Sequence, residues 1–258
     1  MNSKLRIICY LIVFFLLSAQ TRLTNDDVDQ GFHKLFNEKN FEGWYIATRD
    51  GSSGEGLFAV EQGMIHVYPH QEEGSLQTFA GLITEQNYQD YHLTLEYRWG
   101  KKKFQPRHEF VRDAGVLVHV FGPDQIWPNG AECQIQEGDT GDLWLIGTRA
   151  SSKVSPVIRN HSSEGKTESR GGTGEARFSR FHRSYCWEKE GWNKLELIVE
   201  GNHLKFWVNG HLVNEAQQLQ FWDQSLQAYQ DLYQGKILLQ AEGAEIYYRN
   251  IYLKNLKP

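Results

Sequence analysis

Short segments with alternating apolar and polar residues constrain this sequence more than any other feature. They are rich in β-branched and aromatic residues, and Gly, Asn or Pro bounds them. Because successive side chains of a strand point to opposite faces, the alternation predicts β-strands with one buried face. In chain order the segments are GMIHVYP, YHLTLEYRW, GVLVHVF, AECQIQ, DLWLIGT, NKLELIVEG, HLKFWVNG, KILLQAEG and EIYYRNIYLKNL.

The spacing of these strands predicts an all-β fold, an antiparallel sandwich or a barrel. Asn209 and Gly210 favour the positive φ of a two-residue turn, so HLKFWV and HLVNEA are predicted to pair as a hairpin. Helical periodicity is confined to two short stretches, residues 26–35 and 219–232. A chain of 258 residues that is 40% hydrophobic can bury a sizeable core, and we expect one domain.

The first twenty residues, MNSKLRIICYLIVFFLLSAQ, have the pattern of a secretory signal peptide. Basic residues precede an apolar run, which is shorter than the roughly 20 residues of a transmembrane helix. An uncleaved anchor is the alternative. We therefore expect a secreted or periplasmic protein. The predicted organisation is a signal peptide at residues 1–19, a linker at residues 20–30 and a domain at residues 31–258.

The formal net charge of -5 bears on the choice of partners. A protein that binds the phosphate backbone of nucleic acid presents a basic surface, and this composition does not favour one. We expect no nucleic-acid partner, and no membrane contact beyond the signal peptide.

Two cysteines, Cys133 and Cys186, remain once the signal peptide is removed. In an oxidising compartment they could form a disulfide. The alternative is that Cys133 is a small buried residue and Cys186 is independent of it. Sequence spacing does not fix the distance between two Cα atoms, so both readings stay open.

One strand, GAECQIQ, carries an unusual set of polar residues on a single face. Glu132, Gln134 and Gln136 alternate with apolar residues, which places one carboxylate and two amides in a row. A retaining glycosidase needs two carboxyl groups about 5 to 5.5 Å apart. An amide can neither attack as a nucleophile nor titrate as an acid. The strand therefore indicates a site with a single base, Glu132.

Other strands also direct polar side chains away from the expected core. In DAGVLVHVF the residues Asp113, Gly115, Leu117 and His119 are predicted to share one face. Together with the Glu and Gln residues of neighbouring strands, such a face could form a polar cleft for a sugar. The alternative is an ordinary solvated face, because antiparallel sheets commonly expose one side.

Four longer segments occur in a characteristic order. They are LFNEKNFEGWY, RDAGVLVHVFGPDQIWPNGAECQIQEGDTGDLWLIG, WNKLELIVEGNHLKFWVNGHLVNEA and ILLQAEGAEIYYRNIYLKNL. Together they resemble the 3-keto-disaccharide hydrolase domain, a bacterial domain family, from about residue 31 to the C-terminus. The resemblance implies a concanavalin A-like β-sandwich, or jelly roll, of two curved antiparallel sheets with a site on the concave sheet.

The resemblance also implies the substrate, a glycoside already oxidised to a ketone at position 3 by a separate sugar 3-oxidoreductase. The ketone acidifies the C2 proton, so a base can remove it and the glycosidic oxygen leaves C1 by elimination. Water then adds to the product, which gives net hydrolysis. Such a route needs one base, donors for the enolate oxygen and a proton for the leaving group.

Within this route we assign Glu132 as the base and His119 or Arg249 as the electrophilic partner. The alternatives are a structural hydrogen bond for His119 and a structural salt bridge for Arg249. The predicted substrate-binding residues are Gln134, Gln136, Gln240, Glu242, Glu96, Arg112, Trp207 and Trp144.

The turn EGDTGD is rich in oxygen ligands. Glu137, Asp139 and Asp142 are candidate calcium ligands, and no other cofactor is expected. Their spacing does not match an EF-hand. The alternative is an acidic turn whose Asp side chains bond their own backbone.

A polar stretch rich in Gly and Ser, residues 151–183, interrupts the strand pattern. We predict a long loop that closes over the site, with a flexible excursion as the alternative.

Two other functions fit the same residues. A noncatalytic carbohydrate-binding module would use Glu132, Gln134 and aromatic residues such as Trp207 only to hold sugar. A conventional glycoside hydrolase would pair Glu132 with Glu96 or Glu242.

Overall fold

Two antiparallel β-sheets packed face to face form residues 31–257, which are the residues that the computed structural model describes. The strands are β1 (His33–Lys34), β2 (Trp44–Thr48), β3 (Phe58–Glu61), β4 (Met64–Val67), β5 (Ala80–Thr84), β6 (Tyr91–Lys103), β7 (Asp113–Phe121), β8 (Asn129–Gln136), β9 (Leu143–Ile146), β10 (Thr148–Val154), β11 (Lys166–Gly171), β12 (Phe178–Phe181), β13 (Asn193–Glu200), β14 (His203–Val208), β15 (His211–Asp223), β16 (Ala228–Asp231), β17 (Lys236–Ala241) and β18 (Ala244–Asn255). Within residues 31–257 the helical structure is a single 3-10 turn, Gly174–Arg177.

The two sheets differ in size. The large sheet has the order β11-β10-β15-β14-β13-β6-β18-β4-β3, with β1 added to β18 and β16 added to β15. The small sheet has the order β12-β9-β8-β7-β17-β5-β2. Neighbours in both sheets are antiparallel, and the fold is a jelly-roll sandwich. The predicted all-β, concanavalin A-like class is confirmed.

The alternating pattern of the sequence produces the core between the sheets. On β6 the residues Tyr91, Leu93, Leu95 and Tyr97 have no solvent exposure, whereas the residues between them are partly exposed. Side chains of the small sheet such as Val116 meet them from the other side. Burial of these two inner faces supplies most of the hydrophobic stabilisation.

The outward face of the small sheet is also removed from water. Leu117 and Leu238 lie there in a second apolar cluster, against which Trp127 from the β7–β8 connection packs. The polar residues of the same face, such as Glu132 and Gln134, are therefore buried as well. This burial makes the face different from an ordinary solvated sheet surface.

The predicted hairpin is present. Strands β14 and β15 pair with Val208 opposite His211, and Asn209 and Gly210 between them have φ values of 50° and 82°. These values are those that the two-residue turn requires.

The helix predicted at residues 219–232 is wrong. This segment contains the end of β15 and all of β16, which pair with Phe221 opposite Gln230. The side chain of Asp223 accepts hydrogen bonds from the backbone N–H groups of Ser225 and Leu226 and so closes the turn. Strand β15 pairs with β10 as well as with β16, so its backbone N–H and C=O groups are hydrogen-bonded in the sheet. These bonds outweigh the helical spacing of the leucines in the segment.

The stretch predicted as one long loop at residues 151–183 contains three strand segments joined by shorter connections. It contains most of β10 and all of β11 and β12, so its backbone is bonded within the sheets. The predicted signal peptide and linker lie outside the described residues, as does most of the helix candidate at residues 26–35. The end of that candidate forms β1.

Cys133 is buried in the core, Cys186 is exposed, and both thiols are free. The disulfide alternative is therefore excluded by the structure. Across residues 31–257 there is no helix with the length and apolar character needed to cross a membrane.

Candidate active site

A pocket of about 600 Å³ opens on the outward face of the small sheet. We call it the acidic pocket. Its lining residues are Arg107, Phe110, Val111, Asp113, Trp127, Glu132, Gln134, Gln136, Trp144, Ile146, Phe178 and Glu242. Strands β7, β8, β9 and β12 supply part of this lining, and the connections β6–β7, β7–β8 and β17–β18 supply the rest.

Register between β7 and β8 places the polar residues of the floor side by side. Gln136 lies opposite Asp113, and Gln134 lies opposite Gly115. Glu132 follows at the next position of the same face. The row of one carboxylate and two amides predicted from the sequence therefore lines a single pocket.

Gly115 gives Glu132 the space that it occupies. A Cβ atom at Gly115 would overlap the carboxyl oxygen of Glu132 and the amide oxygen of Gln240. The absence of a side chain on β7 thus lets Glu132 from β8 and Gln240 from β17 meet over the middle strand. Gln240 lies beneath the pocket, fully buried, and its amide atoms have no partner among residues 31–257.

Arg107 organises the other two acids of the pocket. Its guanidinium bonds the carboxylate of Asp113 and lies 3.2 Å from Oε1 of Glu242. The indole N–H of Trp127 donates to the same Glu242 oxygen at 2.8 Å. The amide of Gln136 donates to Asp113 at 2.9 Å. Asp113 and Glu242 are therefore fixed in position, but both form their ion pair with the same cation, Arg107.

Burial and crowding shift these acids towards their neutral forms. Burial raises the pKa of Glu132 well above the ordinary glutamate value, and the charges of Glu242 and Asp113 raise it further against a smaller effect of Arg107. Burial, together with Asp113, also raises the pKa of Glu242, which Arg107 and Trp127 oppose. Burial raises the pKa of Asp113 despite its bond to Arg107. The pocket therefore holds protons at a pH where ordinary carboxyl groups have lost them.

Several polar atoms of the pocket have no protein partner. The structure records no hydrogen bond from the Glu132 carboxyl to another described residue. Buried Oδ1 of Asp113, Oε1 of Gln134 and Nε1 of Trp144 are likewise without a partner within residues 31–257. Because buried polar atoms in folded proteins are nearly always hydrogen-bonded, these atoms leave hydrogen-bonding capacity unused at the pocket.

A second cavity, of about 650 Å³, lies at one end of the sandwich and is lined in part by Asp231 and Lys236. Asp231 accepts hydrogen bonds from Gln220 and Tyr233, and these bonds lower its pKa. This carboxylate is ionised and satisfied by the protein. In the acidic pocket burial raises the pKa of all three carboxyl groups, and the Glu132 carboxyl has no hydrogen-bond partner among the described residues, so this pocket is the better candidate for chemistry.

His119, predicted as an electrophile, lies outside the acidic pocket. A β-bulge between Val118 and Phe121 interrupts the alternation of β7, and His119 has a φ of 52°. Its ring turns inward, where Nε2 donates to the carbonyl of Gly201 at 2.7 Å and the ring meets Tyr91 edge-on. Burial lowers the pKa of His119, so it is a neutral core residue.

Glu96 and Arg249 lie on the outward face of the large sheet, on the opposite side of the molecule. Arg249 Nε donates to Glu96 at 2.7 Å, and its guanidinium stacks on Trp192 at 3.7 Å from the ring centroid. This pair corresponds to the structural alternative considered for Arg249. From this position neither Glu96 nor Arg249 can act at the acidic pocket.

The remaining predicted residues divide in the same way. Trp144 and Glu242 line the acidic pocket. Trp207 lies on β14 of the large sheet, opposite Glu196 on β13. Arg112 lies outside the pocket, where it bonds Glu137 and the carbonyl of Gly100.

The turn predicted to bind calcium is an ion-pair cluster. Asp142 contacts Arg183 at 3.0 Å and Arg180 at 3.4 Å, and Asp139 contacts Arg183 at 2.8 Å. The third acid, Glu137, forms an ion pair with Arg112. Among residues 31–257 no group of three or more His, Cys, Asp or Glu side chains is placed to hold a metal ion. Arginine side chains are thus the partners of all three acids of the turn.

Sequence reasoning did not find several lining residues. Asp113 could have been found, because it begins a strand whose polar face was recognised. Arg107 and Trp127 lie in irregular connections, where no periodicity marks the direction of a side chain. Nothing in the sequence pattern marks Phe110 and Phe178 as pocket residues, because isolated apolar residues in polar segments are common.

The chain belongs to the family of the 3-keto-alpha-glucoside-1,2-lyase-like domain, which matches residues 31–254. The resemblance drawn from the four sequence segments is confirmed, and the function of the chain is related to carbohydrates.

Solved structures support the fold. A crystal structure of a candidate glycosyl hydrolase from Parabacteroides distasonis ATCC 8503 has a TM-score of 0.56 and 19% identity, covering 91% of this chain and 98% of that one. Another candidate glycosyl hydrolase from the same organism has a TM-score of 0.52 and 17% identity, covering 87% and 99%. At these identities the similarity concerns the fold alone. No curated protein sequence matches the chain.

Proposed function

We propose that this protein cleaves 3-keto-glycosides by removal of the C2 proton and elimination of the glycosidic oxygen from C1. The family of the chain supports this substrate class. The observation that carries the proposal is the state of Glu132, the one acid of the pocket without a hydrogen-bond partner among the described residues. It lies on the floor, buried, with its pKa raised.

Glu132 is the proposed base. Glu132 acts in its ionised form, and because its pKa is raised that carboxylate is a stronger base than an ordinary one. The 3-ketone makes the C2 proton acidic enough for a carboxylate to remove. Loss of that proton leaves an enolate across C2 and C3. The enolate oxygen needs a donor, and the unpartnered indole N–H of Trp144 is the proposed one, with the amide of Gln134 beside it.

Glu242 is the proposed proton donor to the leaving oxygen. Its Oε1 accepts a hydrogen bond from Trp127 and forms an ion pair with Arg107, which leaves the other oxygen available to carry a proton. The raised pKa of Glu242 keeps that proton in place near neutral pH. Collapse of the enolate forms the C1–C2 double bond, the C1–O bond breaks, and the alcohol departs with the proton of Glu242.

The immediate product is an unsaturated 3-keto sugar, and addition of water across its new double bond completes net hydrolysis. Whether water adds on the enzyme or after release decides between hydrolase and lyase. A separate sugar 3-oxidoreductase supplies the ketone, and the N-terminal pattern supports a secreted or periplasmic site of action.

The test is proton exchange at C2. Purified protein is incubated with a 3-keto-glucoside in deuterated water, and the C2 signal and the unsaturated product are followed by NMR. We expect deuterium at C2 or product formation with the wild type, and neither with Glu132→Gln. A wild type that binds the sugar but leaves C2 unexchanged and the glycoside intact would contradict the proposal.

A conventional glycoside hydrolase is the second candidate, because the acidic pocket contains two glutamates, Glu132 and Glu242. Such an enzyme would cleave the unoxidised parent glycoside. The same NMR assay with the parent glycoside separates the two mechanisms, since elimination requires the ketone. Saturable binding of both sugars without cleavage of either would instead favour a carbohydrate-binding module.

A further inference from the structure

The mouth of the acidic pocket is apolar. Phe110, Val111 and Phe178 line it, and we call these three residues the apolar rim. They are 64%, 50% and 49% exposed, so each keeps much of its side chain in water. A single exposed apolar residue needs no explanation, but three around one pocket form a patch of the kind that binds a ligand.

The apolar rim is held in place from both sides. The backbone N–H of Phe110 donates to the carbonyl of Arg107 at 3.0 Å, and Lys103 donates to the carbonyl of Phe110 at 3.0 Å. The guanidinium of Arg177 lies 5.2 Å from the ring centroid of Phe178 and also bonds the carbonyl of Trp127 at 2.8 Å. These contacts position the backbone of Phe110 and the ring of Phe178 at the pocket.

The polar atoms that need a partner lie elsewhere in the pocket. They belong to Asp113, Gln134 and Trp144 on the floor. One sugar ring above Glu132 would meet that floor with its hydroxyl groups and ketone. The apolar rim has no side-chain donor or acceptor. A second sugar ring placed there would gain no hydrogen bond from these side chains, whereas a hydrocarbon chain would remove more apolar surface from water.

We infer that the apolar rim is a subsite for the leaving group, and that this group is apolar, an alkyl or aromatic alcohol rather than a second sugar. The inference rests on the proposed function, because it takes the floor of the pocket as the site of the 3-keto ring. Phe110 and Phe178 determine specificity by covering the hydrocarbon part of the leaving alcohol as Glu242 protonates its oxygen.

The test compares two substrates of equal length, hexyl and 2-(2-hydroxyethoxy)ethyl 3-keto-α-glucoside. The second leaving alcohol is the more acidic, so intrinsic reactivity works against the inference. We expect kcat/KM to be about tenfold or more higher for the hexyl substrate. In the double variant Phe110→Ser, Phe178→Ser the ratio should fall to about threefold or less.

Leu226→Ser is the matched control, because Leu226 is 62% exposed on the β15–β16 turn and lies outside the pocket. It should leave both values of kcat/KM unchanged. Val111→Thr, which keeps the size of the side chain, covers the case in which the double variant does not fold. It should lower the hexyl preference in part. Equal kcat/KM for the two substrates in the wild type would overturn the inference, as would an unchanged preference in the folded rim variants.

Cleavage of neither substrate would count against the proposed function and not against the apolar rim. Calorimetric binding of the two unoxidised glucosides then decides the inference. Tighter binding of the hexyl glucoside, weakened in the double variant, supports an apolar subsite. Equal affinities, or no binding of either, overturn it.

Discussion

The outward faces of the two sheets carry acids in the same period-two pattern but in different environments. On the large sheet Glu96 is paired with Arg249, and Glu245 bonds both His66 and the backbone N–H of Lys101. On the small sheet three acids line one pocket, and Arg107 is the one cationic residue of its lining. The number of partners that an acid finds, and not its position on a strand, therefore determines whether the protein satisfies its charge.

The two environments shift acid pKa values in opposite directions. Burial of Glu245 acts to raise its pKa, but bonds from His66 and from the backbone N–H groups of Lys102 and Lys101 outweigh burial and lower it. For Glu132 burial acts together with Glu242 and raises the pKa. A group with satisfied bonds is stabilised as the anion, whereas a crowded one is stabilised in the neutral form.

The largest expected difference between the faces is in activity. Glu242→Gln should lower kcat on a 3-keto-glucoside about 10²- to 10³-fold, because the amide cannot give a proton to the leaving oxygen. Glu96→Gln, on the other face, should stay within about twofold of the wild type. Steady-state kinetics with a shared substrate compares them. Similar losses in both variants would remove the distinction between the faces.

Two glycines offer a closer comparison, because each leaves room for an acid. A Cβ at Gly115 would overlap Glu132, and a Cβ at Gly100 on β6 would overlap Glu245. Gly115→Ala should displace the proposed base and lower kcat about a hundredfold. Gly100→Ala should cost about 1 to 3 kcal/mol in the free energy of unfolding with activity kept. Urea denaturation and kinetics on both variants check this, and a fully active Gly115→Ala would exclude Glu132 as the base.

The strands and the polar row of β8 could be predicted from the sequence, because period-two alternation is a local property. Glu132 and Gln134 are in the pocket for that reason. The pairing of Glu96 with Arg249 depends on the register between β6 and β18, which local pattern does not specify. The β-bulge that turns His119 inward is likewise not predicted by the alternation of apolar and polar residues. Arg107 comes from an irregular connection whose course depends on tertiary contacts.

The opposite pKa shifts predict opposite pH dependences of stability. For the pocket acids the folded-state pKa lies above the unfolded value, so the folded state binds more protons. Their contribution to stability is therefore present below about pH 4.3 and is lost as the pH rises above it. Glu132→Gln should flatten the fall in the free energy of unfolding between about pH 5 and about pH 8.

For Glu245 the folded-state pKa lies below the unfolded value, so its contribution is present above about pH 4.3 and is lost as the pH falls. Glu245→Gln should therefore flatten the acid side of the stability curve and leave the alkaline side unchanged. Urea denaturation across the pH range measures both variants. An alkaline slope that is the same in the wild type and Glu132→Gln would contradict the raised pKa of Glu132.

The smallest expected effect concerns the pair on the large sheet itself. The side chains of Arg249 and Glu96 are 13% and 15% exposed, so the pair is neither fully hydrated nor fully buried. Arg249→Met keeps contact with Trp192 but removes the charge, and Glu96 retains a bond from Asn250 at 3.0 Å. We expect a loss of about 1 kcal/mol in the free energy of unfolding, close to the upper end for exposed pairs. Activity should be unchanged, because the pair lies on the sheet opposite the acidic pocket. A loss of activity at unchanged stability would mean that the outward face of the large sheet is coupled to the pocket, and the separation between structural and chemically active acids would then fail.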